Sequence, residues 1–411
     1  MKLSYYTKAL IVAAVGIFYT NVPLYVFDSY GMTELTAPKY WLILFFLLSL
    51  PMLMRKTAWD ALKSPITIWC LGYAAITLLW FFLSSESETA WQEVRWRFLA
   101  IMQILAFLMV FHEPGAIRLA QKALVAAVLL VVAVNIYELF APMSFSNVLG
   151  RSAGLYANPN ITGEALVLGM ILSVTVLAPR YRGLFMLLTG IGILLTFSRA
   201  DILMWVIAVA GFILVGEVRL KDALVSGTVG FLLLAVVLLP RWDQLLTTWE
   251  RTGALNANVL ERLEWFSDPF GVSDDSSWMR KYLAKRAWDK IAERPFIGRG
   301  TGSFYEMDIP PHNQYLAFML DHGLIGVMIL PFLVLAVTSG ARGDKRGMAI
   351  IFGCTILFLS LFTHEILTTG HSLILLSLMA AMAATSGHPE KKRTLVMDTN
   401  NGGAAPVLAR I

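Results

Sequence analysis

The sequence predicts an all-α polytopic membrane protein with about twelve transmembrane helices and a large helical loop between spans 9 and 10. Three observations carry this. Of its 411 residues 57% are hydrophobic and only 15% charged, where a soluble domain has about 25% charged; mean hydropathy is +0.66. The apolar residues gather in runs near the roughly 20 residues that cross a hydrocarbon core. The basic residues collect in alternate connections between those runs, the asymmetry that fixes orientation.

The runs lie near residues 8–27, 38–54, 65–84, 97–112, 118–140, 161–178, 183–198, 200–216, 221–240, 314–338, 347–364 and 369–386. Lys2 and Lys8 begin the first, and no Ala-x-Ala site follows it, so it reads as a retained span and not a removed signal peptide. Lys2/Lys8, Arg55/Lys56/Lys63, Arg118/Lys122, Arg180/Arg182, Arg219/Lys221, Arg342/Lys345/Arg346 and Lys391/Lys392/Arg393 fall in one alternating set of connections. That set is cytoplasmic and holds both termini, as an even span count requires. The other set, 28–39, 84–97, 142–160, 198–201, 241–312 and 364–371, faces outward. Residues 1–390 read as one transmembrane domain that includes the loop 241–312. The polar, Gly/Ala-bearing stretch 391–411 reads as a disordered cytoplasmic tail.

A loop as long as 241–312 carries structure of its own. A helix is expected from about Trp278 to Glu293, with Ser276 or Ser277 as N-cap and Pro295 and Gly298 ending it. Its mixed face suits the membrane surface. Cys70 and Cys354 lie in apolar runs and read as buried hydrophobes, not a disulfide or metal site. The net charge of +5 belongs to retained loops and not to nucleic-acid binding.

The chain is organised around a glycine-rich turn, Gly298-Arg299-Gly300-Thr301-Gly302-Ser303, that leads to His312 at the mouth of a long apolar run. A titratable group is costly inside a bilayer and cheap at its edge. Arg199, in Thr196-Phe197-Ser198-Arg199-Ala200-Asp201, opposes the positive-inside trend. It reads as a snorkelling or Asp201-paired residue, or as a planar guanidinium aimed at a phosphate. Arg280 opens the loop helix; alone it is a solvated residue. Arg151 precedes Asn158-Pro159-Asn160, whose asparagines cap the next helix or bond to sugar hydroxyls or a lipid-linked head group. His312, as a neutral imidazole, is a natural base toward a sugar hydroxyl. His364 and His371 flank a further outward turn with Glu365 but lack zinc spacing, and Asp274-Asp275 reads as a turn more than a cation site, so no metal is expected. Arg199, Arg280, Arg151 and His312 all map to one face, which suits an anionic, lipid-linked substrate.

Jointly, Gly154-Leu155-Tyr156-Ala157-Asn158-Pro159-Asn160, Thr196-Phe197-Ser198-Arg199, Arg280 ahead of Glu293-Arg294-Pro295-Phe296-Ile297-Gly298-Arg299-Gly300, and Pro311-His312-Asn313-x-Tyr315-Leu316 with Asp321-x-Gly323-x-x-Gly326 resemble the O-antigen ligase/polymerase superfamily. The resemblance covers residues of about 150 to 330. It implies a bacterial inner-membrane glycosyltransferase of the C-type membrane fold, working at the periplasmic face without metal or cofactor. It implies a glycan donor on undecaprenyl pyrophosphate and, in the ligase branch, a lipid A–core sugar as acceptor. The family's essential arginines and histidine fall on Arg199, Arg280 and His312, with Arg151, Asn158, Asn160, Asn313 and Tyr315 as substrate-binding neighbours. Arg299 departs from the pattern, which favours a small or aliphatic residue between the glycines.

The same resemblance leaves two rival acceptors, a second lipid-linked glycan (polymerase) or a protein (O-oligosaccharyltransferase). A short basic tail disfavours the last. A polyprenyl-glycan transporter would place charges at mid-membrane in broken, repeated helices; no repeat is seen and the charges sit at one edge.

Overall fold

The computed structural model describes residues 3–29, 38–84, 88–267 and 275–387. Lys2, Asp274 and the tail 391–411 lie outside them. Among the described residues every regular element is helical.

The chain enters through α1 (Tyr5–Ala13), where the Ser4 hydroxyl accepts from the Thr7 N–H as N-cap. It continues through a π-helical turn, Ala14–Tyr19, into α2 (Val22–Ser29). The expected single span 8–27 is thus interrupted, at Asn21, which adopts φ +58°; asparagine is among the few residues that tolerate this left-handed region. Then come α3 (Pro38–Ser49), α4 (Lys56–Ala61), α5 (Pro65–Phe81), α6 (Glu88–Phe111) and α7 (Ala116–Phe140). The next four are α8 (Pro159–Ser173), α9 (Pro179–Leu194), α10 (Arg199–Leu214) and α11 (Leu220–Leu238). Proline opens α5, α8 and α9 at the first turn, where its missing N–H has no partner to lose.

The segment between α11 and the next apolar helix holds three helices where one was expected: α12 (Trp242–Thr252), α13 (Ala257–Ser267) and α14 (Asp275–Glu293). The last starts ahead of the expected caps, so Ser276 and Ser277 lie within its first turn. The chain closes with α15 (Gln314–His322), α16 (Gly326–Thr338), α17 (Asp344–Leu359) and α18 (Gly370–Ala384).

Among the described residues four helical stretches are long and apolar enough to cross a membrane: Glu88–Phe111, Ala116–Phe140, Pro159–Val176 and Gln314–Thr338. Tyr5–Tyr19, Pro38–Met54, Pro65–Phe81 and Gly370–Ala384 are shorter apolar helices. This is a helical membrane protein in composition and build. α18 sits at its centre, buried from His371 to Ala383 and packed on α6, α8 and α16. Around it Phe18, Phe45 and Phe107 meet at centroid separations of 4.9 to 5.5 Å, edge-on or tilted as ring quadrupoles favour. The Tyr19 hydroxyl donates to the Ala165 carbonyl at 2.9 Å and rests on Gly169, where a Cβ would lie 2.1 Å from it.

The glycine-rich turn is a clasp. Gly298, Gly300 and Gly302 all take positive φ, between +73° and +102°, a region open to glycine at little cost. The N–H groups of Arg299 and Gly300 donate to the carbonyls of Leu320 and Asp321 at 2.9 and 3.0 Å. A Cβ on Gly298 would lie 2.5 Å from the Asp321 carbonyl, and one on Gly323 2.5 Å from the Phe296 backbone. The two glycine motifs therefore interlock. Buried Asp321 accepts from the Gly302 N–H at 3.1 Å and the Ser303 hydroxyl at 2.9 Å, and it pairs with Arg97 of α6. Arg97 also binds Glu93 at 2.7 Å. Arg299, the departure from the family pattern, pairs with Glu293 near the surface.

Candidate active site

Glu138, near the end of α7, organises the loop that carries Arg151. Its carboxylate accepts from the backbone N–H groups of Phe145 (3.0 Å), Ser146 (2.7 Å), Ala153 (2.7 Å) and Gly154 (2.9 Å). Both limbs of the 141–154 loop are thereby tied to one carboxylate. Arg151 leaves this loop buried. Its Nε donates to the Thr196 carbonyl at 2.8 Å and its Nη2 to Asn160 Oδ1 at 2.7 Å. Asn158 Oδ1 accepts from the Asn160 N–H at 3.0 Å, so Asn158 is the N-cap of α8 as well as part of the site.

The turn between α9 and α10 presents Arg199. Phe197 adopts φ +50°, a costly conformation for a non-glycine residue. Its carbonyl accepts from Arg262 Nη1 of α13 at 2.8 Å. The Arg199 guanidinium lies 5.9 Å from the ring centroid of Trp265, and Asp201 is buried in the first turn of α10. Arg280, on α14, stands 6.0 Å from the Phe362 ring.

His312 arrives from the other side. The Gln314 N–H donates to the Ser360 carbonyl at 2.8 Å, which sets the start of α15 against the 360–369 loop. The His312 ring centroid is 5.5 Å from that of His364, and Phe304 packs on His364 at 6.1 Å. Beyond them, Glu164 accepts from the Ser372 hydroxyl at 3.0 Å and lies 3.5 Å from His371 Nε2.

These groups line one cavity of about 350 Å³: Arg151, Asn158, Asn160, Glu164, Ser198, Arg199, Asp201, Arg262, Arg280, His312, Thr363, His364 and Glu365 are among its walls. Its charges act on one another. Burial, then Arg262, pushes the Arg151 guanidinium down to about 9. Burial, then Arg199 and Arg280, pushes Arg262 down to about 10. Burial also lowers Arg280, against the pull of Asp201. His312 is held below the ordinary histidine value by desolvation and then by Arg280. His364 is pushed down to about 4 by burial and by His312. Glu365 is raised by burial and then by Glu164. Crowded guanidiniums that lower one another in a desolvated cleft gain from an anion between them.

Of the residues expected from sequence, Arg151, Asn158, Asn160, Arg199, Arg280 and His312 meet at this cavity. Asn313 and Tyr315 are engaged elsewhere. Asn313 Oδ1 accepts from the Leu316 N–H at 3.1 Å as N-cap of α15, and the Tyr315 hydroxyl donates to the Leu357 carbonyl at 3.1 Å. Arg262, Glu164, His364 and Glu365 join the site without having been singled out as its members. Among the described residues no three His, Cys, Asp or Glu side chains come together as a metal-holding set.

Residues 184–331 match the family model described as O-antigen ligase. The chain carries an O-antigen ligase domain. Its sequence match begins within α9 and ends within α16, so it takes in Arg199, Arg262, Arg280 and His312. Arg151, Asn158 and Asn160 precede the ligase match and His364 and Glu365 follow it, yet they share its cavity. Glycosyl transfer of the ligase or polymerase kind is the activity this family carries. Together with the apolar helices it makes the protein an integral membrane protein. No curated protein is similar enough to the chain to count as a match.

Proposed function

We propose that this protein is an O-antigen ligase that joins a glycan from undecaprenyl pyrophosphate to a sugar hydroxyl of lipid A–core, at the periplasmic face of the bacterial inner membrane. The observation that carries the reading is the meeting of four arginines and His312 around one cavity. A polyprenyl pyrophosphate is already a good leaving group, so the protein's task is positioning and charge stabilisation. Arg199 and Arg280 bind the pyrophosphate and neutralise the charge that develops on it. His312 takes the proton of the acceptor hydroxyl as its oxygen attacks the anomeric carbon. The bond from that carbon to the pyrophosphate oxygen breaks on the opposite face, the electron pair leaves with undecaprenyl pyrophosphate, and the anomeric centre inverts. The depressed pKa of His312 supports this role, because a base must be neutral at working pH. No metal ion is required where guanidiniums supply the positive charge.

The test is to incubate purified protein with lipid-linked glycan and lipid A–core and resolve the products on a gel. A joined glycan on the core supports the ligase. Lengthened lipid-linked glycan with no joined product would make it a polymerase.

A further inference from the structure

Arg262 belongs to a helix that touches both basic limbs of the cavity. The Asn256 side chain, one residue before α13, donates to the Leu149 carbonyl at 3.0 Å. Val259 and the Ala254 carbonyl close on Gly150, where a Cβ would lie 2.6 and 2.2 Å from them. Three residues on, Arg262 binds the Phe197 carbonyl at 2.8 Å. One turn further, Trp265 lies by the Arg199 guanidinium. The end of α9 thus offers three successive carbonyls to three donors: Leu195 to the Ser152 N–H at 3.0 Å, Thr196 to Arg151 and Phe197 to Arg262. Cations at a helix C-terminus complement its dipole. Both arginines are only 6% exposed, so these bonds form where water does not compete. A left-handed Phe197 persists only if its surroundings hold it, and Arg262 is the charged donor to its carbonyl.

We infer that Arg262 is a positioning residue for Arg199: it holds the Phe197 turn in the conformation that aims the Arg199 guanidinium into the cavity. Arg262 acts through the turn, and α13 is the template on which the Arg199 half of the anion site is built. The inference rests on the pyrophosphate-binding role given to Arg199 above.

The experiment measures binding of a short-chain polyprenyl pyrophosphate to the full-length protein in nanodiscs. The variants are Arg262→Met, Arg262→Lys, Trp265→Leu, Arg199→Ala and the double variant Arg262→Met/Arg199→Ala. Loss of a charged hydrogen bond predicts binding roughly ten- to a hundredfold weaker for Arg262→Met. Arg262→Lys recovers part of this, since lysine still donates to a carbonyl. Trp265→Leu, which leaves the clamped carbonyl alone, shifts binding in the same direction by less. The double variant binds no more weakly than Arg199→Ala, because coupled residues are non-additive. A merely structural role for Arg262 would lower protein yield and leave the double variant weaker than either single one. Losses that multiply, or normal binding by Arg262→Met beside a defective Arg199→Ala, would overturn the inference alone. Normal binding by Arg199→Ala would remove the functional reading and this inference with it.

Discussion

The rings of His312 and His364 lie 5.5 Å apart, tilted by 57° to one another, with the Arg280 charge acting on His312. Two imidazoles this close in a basic cavity do not both carry protons. His364 titrates near 4 in the folded chain and near about 6.5 when unfolded. Between those values the unfolded chain binds more protons, so stability rises with pH there, is fully present above about 6.5, and is lost as pH falls toward 4. Glu365, raised by burial, has the opposite sign, so the comparison is parent against His364→Asn. The drop in unfolding midpoint between pH 7.5 and pH 5 is expected to be smaller in the variant. An equal drop in both would show that His364 is charged in the fold.

Activity follows the same logic at His312. Its lowered pKa keeps it neutral below the usual histidine range, so the acid limb of the pH–rate profile is expected under about 6.5. A limb at or above pH 7 would exclude His312 as the group that titrates.

The roles proposed for the arginines and the histidine are separable. Lysine keeps charge but loses the bidentate fork, so Arg199→Lys and Arg280→Lys are expected between parent and alanine variants in rate. Removal of a positioned phosphate contact or base costs on the order of 10²–10⁴ in rate. His312→Ala is expected to lose turnover while still binding lipid pyrophosphate, and Arg280→Ala to lose binding. Side-by-side binding and ligation assays decide it. Normal turnover by His312→Ala, or a binding loss equal to that of Arg280→Ala, would withdraw the role given to the histidine.

Chelation is expected to leave the reaction intact. Excess EDTA should not slow ligation, since the proposed mechanism takes its positive charge at the donor from the arginines. Loss of turnover that magnesium or manganese restores would direct attention to the Asp274-Asp275 pair.

Orientation is tested with a single cysteine at exposed Thr252, in the segment expected outside, after Cys70 and Cys354 are changed to alanine. A membrane-impermeant thiol reagent is expected to label it in intact spheroplasts. Labelling only after the membrane is opened would invert the topology and the mechanism with it.

The helical architecture was legible because hydropathy and charge act locally: runs such as 118–140 and 314–338 reappear as α7 and as α15 with α16. The break at Asn21 was passed over because the apolar residues on both sides add up to one span, although Asn21 and Pro23 are residues that favour such a break. At the site, Arg151, Arg199, Arg280 and His312 stood out because the charge asymmetry of the other loops maps all four to one outward face, where Arg199 opposes the positive-inside trend. Arg262 did not. It sits in Val259-Leu260-Glu261-Arg262-Leu263-Glu264, where an arginine between glutamates reads as solvated, and its role depends on a carbonyl 65 residues away. The glycine-rich turn was recognised as central, but its reason was not: its partner Asp321 is anchored by Arg97, 224 positions earlier in the chain.

The cavity draws on loops and helices from Arg151 to Glu365, and this has a bearing on biosynthesis. A nascent chain inserted as far as α14 possesses all four guanidiniums but no imidazole beside them. His312 enters with α15, and His364 and Glu365 only ahead of α18, the helix that the rest of the bundle surrounds. Without α18 the helices α6, α8 and α16 lack the element they pack on, so the cavity cannot close on a chain that stops at α14. The cavity is thus assembled only once α18 is in place, long after its arginines have been made.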